Sequence, residues 1–290
     1  MVLAKPQHWN SIGILDRHNF IHSISVFSHY SIINQAKKWG SLIFSKIKHF
    51  LEAPQVRRIA KDHAKITSNL SDSWIDPNIP GLQWKIVQPQ IIKFKQGKEV
   101  PLFEVFCESI KTCIDFSPNV APSVLEIGCS SGYHGFVLSQ RFPKFKYIGV
   151  DLSSKFIEYG KTQFPDLDLQ VQDATSLKYP NEHFGIVVSG CVLLHLNDWK
   201  LGIKESCRVT QNYVIFHRTP VTQAPTTLFT KMAYGVQMFE WSFNESEFIS
   251  EVESQGFEQI KELPIDVGKQ LTYSSRKPRQ FTYVFKKQAI

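Results

Sequence analysis

The stretch Val124-Leu125-Glu126-Ile127-Gly128-Cys129-Ser130-Ser131-Gly132-Tyr133-His134-Gly135 decides the fold. Its first half is a short apolar run, the pattern of a strand covered on both faces. It breaks at Gly128 and passes through small residues into a segment whose Phe136, Val137 and Leu138 suit the inner side of a helix. A buried strand that turns on glycines into a helix presents that helix's N-terminus to the space above the sheet. The exposed N–H donors and the dipole at that end favour a carboxylate or a phosphate. Gly128 and Gly132 are expected to let the backbone come close to such a ligand.

Outward from this turn the pattern repeats. Upstream, Leu102, Phe106, Ile110, Cys113 and Ile114 recur at helical spacing over residues 102–115. Downstream come strand-like runs at 146–151, 168–174, 183–190 and 212–218, separated by helical segments that Ser153 and Asn197 or Asp198 can cap. Strands alternating with helices predict βαβ units and a Rossmann-like α/β domain with a mostly parallel sheet. Asn244 and Glu247 form a capping-box pattern, Gly256 suits the helix stop, and two more strands fall near 257–262 and 280–286. Between strand five and that helix, Thr226, Thr227, Lys231, Tyr234 and Glu240 populate a long polar-aromatic segment. It is read as an irregular substrate lid.

In a doubly wound sheet, ligands bind at the carboxyl edge. There the chain places Asp151, 19 residues after Gly132, followed by Leu152. An acid in that position accepts from both hydroxyls of a ribose; its other reading is a helix-capping Asp. Asp173 and Ala174 end the third strand, where a carboxylate can accept from an adenine amino group or simply hold a turn. Ser189 ends the fourth strand, and His195 is the only ionisable residue of the loop before Asp198. His195 can take a proton from an acceptor hydroxyl or merely shape the pocket. His217 and Arg218 leave the fifth strand on the same edge. Arg218 can clamp a carboxylate or phosphate, or pair with Glu240 or Asp198.

The charge is unevenly placed. Ten basic residues against three acids within residues 1–70 account for the whole net charge of +7, so residues 71–290 balance to zero. Residues 1–70 are therefore a basic, helical N-terminal extension, 71–100 a Pro- and Trp-containing connector or cap, and 101–290 the catalytic domain. A neutral domain gives no electrostatic reason to expect nucleic acid. Residues 32–51 read as an amphipathic helix: Ile32, Ala36, Trp39, Ile43, Ile47 and Phe50 form a stripe, with lysines mostly off it. Packing on the main domain is favoured over peripheral contact with an anionic membrane, since most such helices serve tertiary packing. Five scattered cysteines lack metal-ligand spacing and suit a reducing, cytoplasmic setting. Neither a signal-peptide core nor a run of about 18 apolar residues is seen.

Taken together, VLEIGCSSGYHG, GVDLS, VQDA and FGIVVSGCVLLHL resemble the class I S-adenosylmethionine-dependent methyltransferases over about residues 100–290. The runs at 73–83, 217–221 and 231–243 resemble a bacterial small-molecule subgroup. The resemblance implies a seven-stranded, mostly parallel sheet closed by an antiparallel C-terminal hairpin. It implies S-adenosylmethionine as cofactor and no metal. Glu126, Gly128, Cys129, Ser130 and Gly132 would lie against the methionine part, Asp151 and Leu152 against the ribose, Asp173 and Ala174 against adenine, with Ser189 nearby. His195 and His217 would be candidate bases, and Arg218, Tyr234 and Glu240 would meet the acceptor. Ser130 departs from the family's usual third glycine. The acceptor stays open among a small molecule, a glycan and a lipid-linked precursor. Two other readings remain: a nicotinamide-dependent oxidoreductase, whose G-x-G-x-x-G spacing differs from Gly128, Gly132 and Gly135, and a cofactor-binding membrane adaptor without catalysis.

Overall fold

Period-two burial along the central strands sets the architecture. In Ser123–Ile127, Val124 packs into one helical layer, while Leu125 and Ile127 pack into the other. The computed structural model describes residues 58–59, 62–265 and 278–288. The helix expected over residues 32–51 lies outside them.

In chain order the elements are β1 (Arg58–Ile59), α1 (His63–Leu70), a 3-10 turn (Ser71–Ile75), α2 (Ile79–Lys95), α3 (Pro101–Phe116), β2 (Ser123–Ile127), α4 (Tyr133–Arg141), β3 (Lys146–Asp151), α5 (Ser154–Gln163), β4 (Asp168–Val171), β5 (Phe184–Gly190), α6 (Trp199–Val209), β6 (Thr210–Thr222), β7 (Thr227–Ala233), β8 (Val236–Asn244), α7 (Glu245–Glu253), β9 (Phe257–Pro264) and β10 (Arg279–Lys287). The expected caps are in place. The Ser153 hydroxyl, the Asp198 carboxylate and the Asn244 side chain each accept from a backbone N–H three residues on, at Phe156, Leu201 and Glu247.

Seven strands make the expected sheet, in the order β4-β3-β2-β5-β6-β10-β9. β3, β2, β5 and β6 pair in parallel, and β10 is antiparallel to both β6 and β9. One layer, with α3 and α4, holds Phe103, Phe106, Ile110, Val124, Val137, Ile186 and Ile215. The other, with α6 and α7, holds Leu125, Val187, Trp199, Ile203, Phe216, Phe243 and Phe248.

The connector takes a definite form, and one region differs from expectation. The connector is helical: α2 runs for 17 residues with Pro89 inside it. Its inward residues Val87, Ile91 and Phe94 outweigh the hydrogen bond that Pro89 cannot donate. The segment read as an irregular lid is a β-hairpin, β7–β8, turning on Tyr234 and Gly235, both at positive φ, and pairing Ala233 with Val236. That two-residue left-handed turn matches the natural strand twist. The hairpin's place follows from strand lengths. β5 stops pairing with β6 at Gly190 and His217, yet β6 runs on to Thr222. β8 takes over the freed edge, pairing Val221 with Phe243 and Thr222 with Asn244. The hairpin thus stands beyond the carboxyl end of β5. Among the described residues no helix is long and apolar enough to cross a membrane.

Candidate active site

The floor of the site is the turn from β2 to α4. Gly128 and Gly132 hold φ of +71° and +77°, the left-handed region in which a side chain is strained. A Cβ at Gly128 would also lie 2.5 Å from Val192 Cβ. The turn's own amides are already engaged. Gly128 and Cys129 donate to the Val150 carbonyl at 2.8 and 3.0 Å, and Gly132 donates to the Cys129 carbonyl at 2.9 Å. The donors available to an anion are therefore the first-turn amides of α4, starting at Tyr133, which a helix cannot satisfy internally. Cys129 itself is buried, and its thiol is pushed well up by that burial. Ser130 sits at φ 54° and its hydroxyl donates to Gln83 Oε1 of α2, so the N-terminal helix reaches onto the turn.

Asp151 is tied to this turn. Its Oδ2 accepts from the Ser130 N–H and its Oδ1 from the Ser153 N–H, each at 2.9 Å. Each oxygen keeps a second lone pair. Burial pushes the carboxyl up to about 6, opposed by those two amides and reinforced by the Glu126 charge. Leu152 beside it is 53% exposed, an apolar surface at the mouth of the site. Asp151 pairs with Val171 across β3 and β4, which puts Asp173 at the neighbouring strand end. Asp173 Oδ1 holds a local turn, accepting from the Thr175 amide at 2.8 Å and its hydroxyl at 2.7 Å. Ala174 and Ser189 are buried, and the Ser189 hydroxyl has no hydrogen-bond partner among the described residues.

The far wall carries His195. Its Nδ1 lies 2.9 Å from the Phe239 carbonyl of β8. A carbonyl only accepts, so Nδ1 bears the proton and Nε2 keeps its lone pair. Burial, then the nearby Lys231 charge, pushes the ring down to about 4, so it is neutral at ordinary pH. The Trp74 ring lies 4.7 Å from His195 and 5.9 Å from Tyr234, centroid to centroid. Trp74 comes from the 3-10 turn, which is pinned to the hairpin by the Ser73 hydroxyl donating to the Gln237 carbonyl at 2.8 Å.

Arg218 follows, at φ 62°. Its guanidinium lies among Cys191, Tyr133 and Tyr234. Ser130, Cys191, Arg218 and Tyr234 are four of the five non-glycine residues at positive φ among the described ones. At about 1–2 kcal/mol each, that clustering is backbone strain concentrated at one place.

Three candidates are placed differently from expectation. Glu126, expected against the cofactor, is 1% exposed and faces the α3–α4 layer. Its two oxygens hold His134 Nδ1 at 2.7 Å and the Tyr147 hydroxyl at 2.5 Å. Strand alternation turns it away from the edge. His217, a candidate base, is fully buried, packs on Phe106 and His134, and bonds the Thr282 hydroxyl through Nδ1 at 2.8 Å. It shares its sheet face with Glu126 and does not front the acceptor space. Glu240, a candidate acceptor ligand, is 2% exposed and ion-paired with Lys231. Gln83, Tyr133 and Trp74 join the site without having been singled out as site residues. Tyr133 was visible as the first residue after the glycine turn; Gln83 and Trp74 arrive by tertiary packing.

The geometry fits an adenosine-bearing sulfonium cofactor: an acid gripped at a glycine turn, an apolar residue beside it, and a helix N-terminus open to a carboxylate. A methyltransferase-domain family model matches residues 124–212, the turn, Asp151, Asp173 and the His195 loop included. Phosphoethanolamine N-methyltransferase 1 of Arabidopsis thaliana is 24% identical over 162 residues, covering 49% of this chain and 32% of that protein. The chain therefore spans about a third of that curated relative's length. Among solved structures, an S-adenosylmethionine-dependent methyltransferase from Methanosarcina mazei aligns at a TM-score of 0.50 and 18% identity, over 61% of this chain and 97% of its own. One from Clostridium acetobutylicum aligns at 0.50 and 14%, over 71% and 99%. At these identities the structures speak for the fold. Residues 124–212 thus match a methyltransferase domain that holds the turn and the strand ends, and the fold around them is that of S-adenosylmethionine-dependent methyltransferases.

Proposed function

We propose that this chain transfers the methyl group of S-adenosylmethionine to an oxygen or nitrogen nucleophile of a small acceptor held between the glycine turn and the β7–β8 hairpin. The observation that carries this reading is the Asp151 carboxylate, fixed to the turn by the Ser130 amide with lone pairs left for two ribose hydroxyls. When bound, the cofactor's sulfonium supplies a methyl group on a leaving group already activated by its charge. The protein's own work is to align the partners and exclude water, which is worth up to about 7–11 kcal/mol.

Each residue has a part in this reading. Asp151 grips the ribose, Leu152 and Ala174 flank the adenine, and Asp173 offers Oδ2 to its amino group. The first turn of α4 receives the methionine carboxylate, with Ser189 bordering the same space. On the acceptor side, Tyr234 and Trp74 form the wall and His195 Nε2 accepts the proton of a hydroxyl nucleophile. With the cofactor bound, the methyl group would be supplied by its sulfonium, and the proton of a hydroxyl acceptor would pass to His195 Nε2 and from there to water. The neutral tautomer fixed by Phe239 presents the lone pair this step needs. A nitrogen acceptor is supported by the Arabidopsis relative, named for N-methylation.

The test is direct. The chain is incubated with methyl-labelled S-adenosylmethionine and a cell extract, and labelled products are found by mass. Label in a small molecule, absent with Asp151→Ala, is expected; no label, with no binding of S-adenosylhomocysteine in calorimetry, rejects the reading.

A further inference from the structure

The proposed function leaves one side chain without a task, and it is the costliest in the site. Arg218 is a guanidinium brought in at the end of a buried strand, and its Nε is buried with no hydrogen-bond partner among the described residues. The two acids that the sequence offers it are occupied elsewhere: Glu240 binds Lys231, and Asp198 caps α6. Among the described residues no carboxylate pairs with it. Its neighbours are the hydroxyls of Tyr133 and Tyr234 and the thiol of Cys191, groups that are neutral in their ordinary state. A half-buried cation without a counter-charge is costly, and an orphaned buried N–H adds to that cost. Left-handed backbone at Arg218 and Cys191 adds strain. A fold does not hold a charge in this way for packing alone.

A second observation points to the same place. The Trp74 Nε1 is also buried without a partner among the described residues, and its ring lies 5.9 Å from that of Tyr234. Two orphaned donors therefore border one tyrosine, near the Nε2 lone pair of His195. Donors without acceptors call for a ligand rich in acceptor oxygens.

We infer that the acceptor carries an oxyanion, a carboxylate or a phosphate, which Arg218 holds beneath Tyr234 so that the nucleophile lies between His195 and the methyl donor. This rests on the methyl-transfer reading above and adds the substrate class to it. The guanidinium fork matches two oxygens of either anion, and Tyr133, first residue of α4, links that anchor to the turn that holds the cofactor.

The test uses the full chain saturated with S-adenosylhomocysteine, titrated calorimetrically with sodium benzoate in one arm and inorganic phosphate in the other. One anion is expected to bind, and the arm that responds names the source. Arg218→Gln should weaken that binding about tenfold or more, with S-adenosylhomocysteine affinity unchanged within about twofold. Arg218→Lys, which keeps the charge and loses the fork, should fall between the two. Three results overturn the proposal: neither anion binds, both bind the Gln variant as well as the parent, or the Gln variant loses S-adenosylhomocysteine instead. The last would assign Arg218 to the cofactor's own carboxylate and leave methyl transfer standing. Failure of the parent chain to bind S-adenosylhomocysteine would remove both readings at once.

Discussion

The Ser130 amide donates to Asp151 Oδ2 at 2.9 Å, so the strained non-glycine residue of the turn and the acid at the end of β3 hold each other in place. Asp151→Ala removes the proposed ribose acceptor and also leaves the Ser130 and Ser153 amides without their partner. Cofactor affinity is expected to fall by about a hundredfold or more, two charge-assisted hydrogen bonds being worth roughly 1.5–3 kcal/mol each. Calorimetry with S-adenosylhomocysteine measures it, and an unchanged affinity would discard the site assignment.

The pH dependence separates binding from stability. Asp151 is raised from 3.8 to about 6, so the folded chain holds this proton more tightly than the unfolded one. Its contribution to stability accordingly falls as pH rises across that interval. His195 is lowered from 6.5 to about 4; its contribution is complete above 6.5 and is lost as pH falls toward 4. The two partly offset, leaving thermal stability little changed by them between pH 4 and 6. Cofactor affinity has no such offset, because the ionised Asp151 is the better acceptor. It should weaken progressively below pH 6, up to about tenfold per unit. Affinity that stays level from pH 8 to 4.5 contradicts the role given to Asp151.

His195→Ala should lower turnover about a hundredfold for a hydroxyl acceptor and leave S-adenosylhomocysteine binding nearly intact. The turnover of the parent chain should show no inflection near 6.5, since the ring stays neutral down to about 4. A variant as fast as the parent, or a clear step at 6.5, would give His195 a structural role only.

Glu126→Ala tests the hub on the opposite sheet face. His134 and Tyr147 lose their shared partner inside the core. Breaking one side of such a buried network costs about 3–5 kcal/mol. Urea unfolding should show a lower midpoint with an unchanged slope. A loss under about 1 kcal/mol would mean the cluster rearranges around another donor or acceptor.

Gly128→Ala places a methyl 2.5 Å from Val192 Cβ at a left-handed position. A loss of about 2–4 kcal/mol is expected from strain and overpacking together. Val192→Gly in the same chain, which removes that Cβ, should restore part of it, the part due to the clash. No restoration would show that backbone strain alone sets the cost.

The parallel core was legible because its signals are local and repeated. The apolar run at 124–127, the caps at Ser153, Asp198 and Asn244, and the acid at 151 each act within a few residues. The hairpin at 227–244 was not, because Tyr234-Gly235 is a weak turn signal beside Asn-Gly and its strands lack clean alternation. Side-chain direction was the other gap. Glu126 and His217 lie in the right segments, yet strand alternation sends both to the α3–α4 side, and that parity cannot be assigned before the sheet's two faces are known. Gln83 and Trp74 reach the site only through packing of α2 and the 3-10 turn, contacts that lie 47 residues from Ser130 in one case.

The hairpin joins the parallel sheet through only two paired positions, Val221 with Phe243 and Thr222 with Asn244. It is held further by side-chain packing, with Leu228, Phe239, Trp241 and Phe243 in the core shared with α6 and α7, so an insert that keeps those apolar positions is a replaceable part. Relatives could exchange the whole β7–β8 insert, and with it the molecule they methylate, while the strands that hold the cofactor keep their registers; a chimaera carrying a foreign insert spliced between Thr222 and Asn244 should still bind S-adenosylhomocysteine and change only what it accepts.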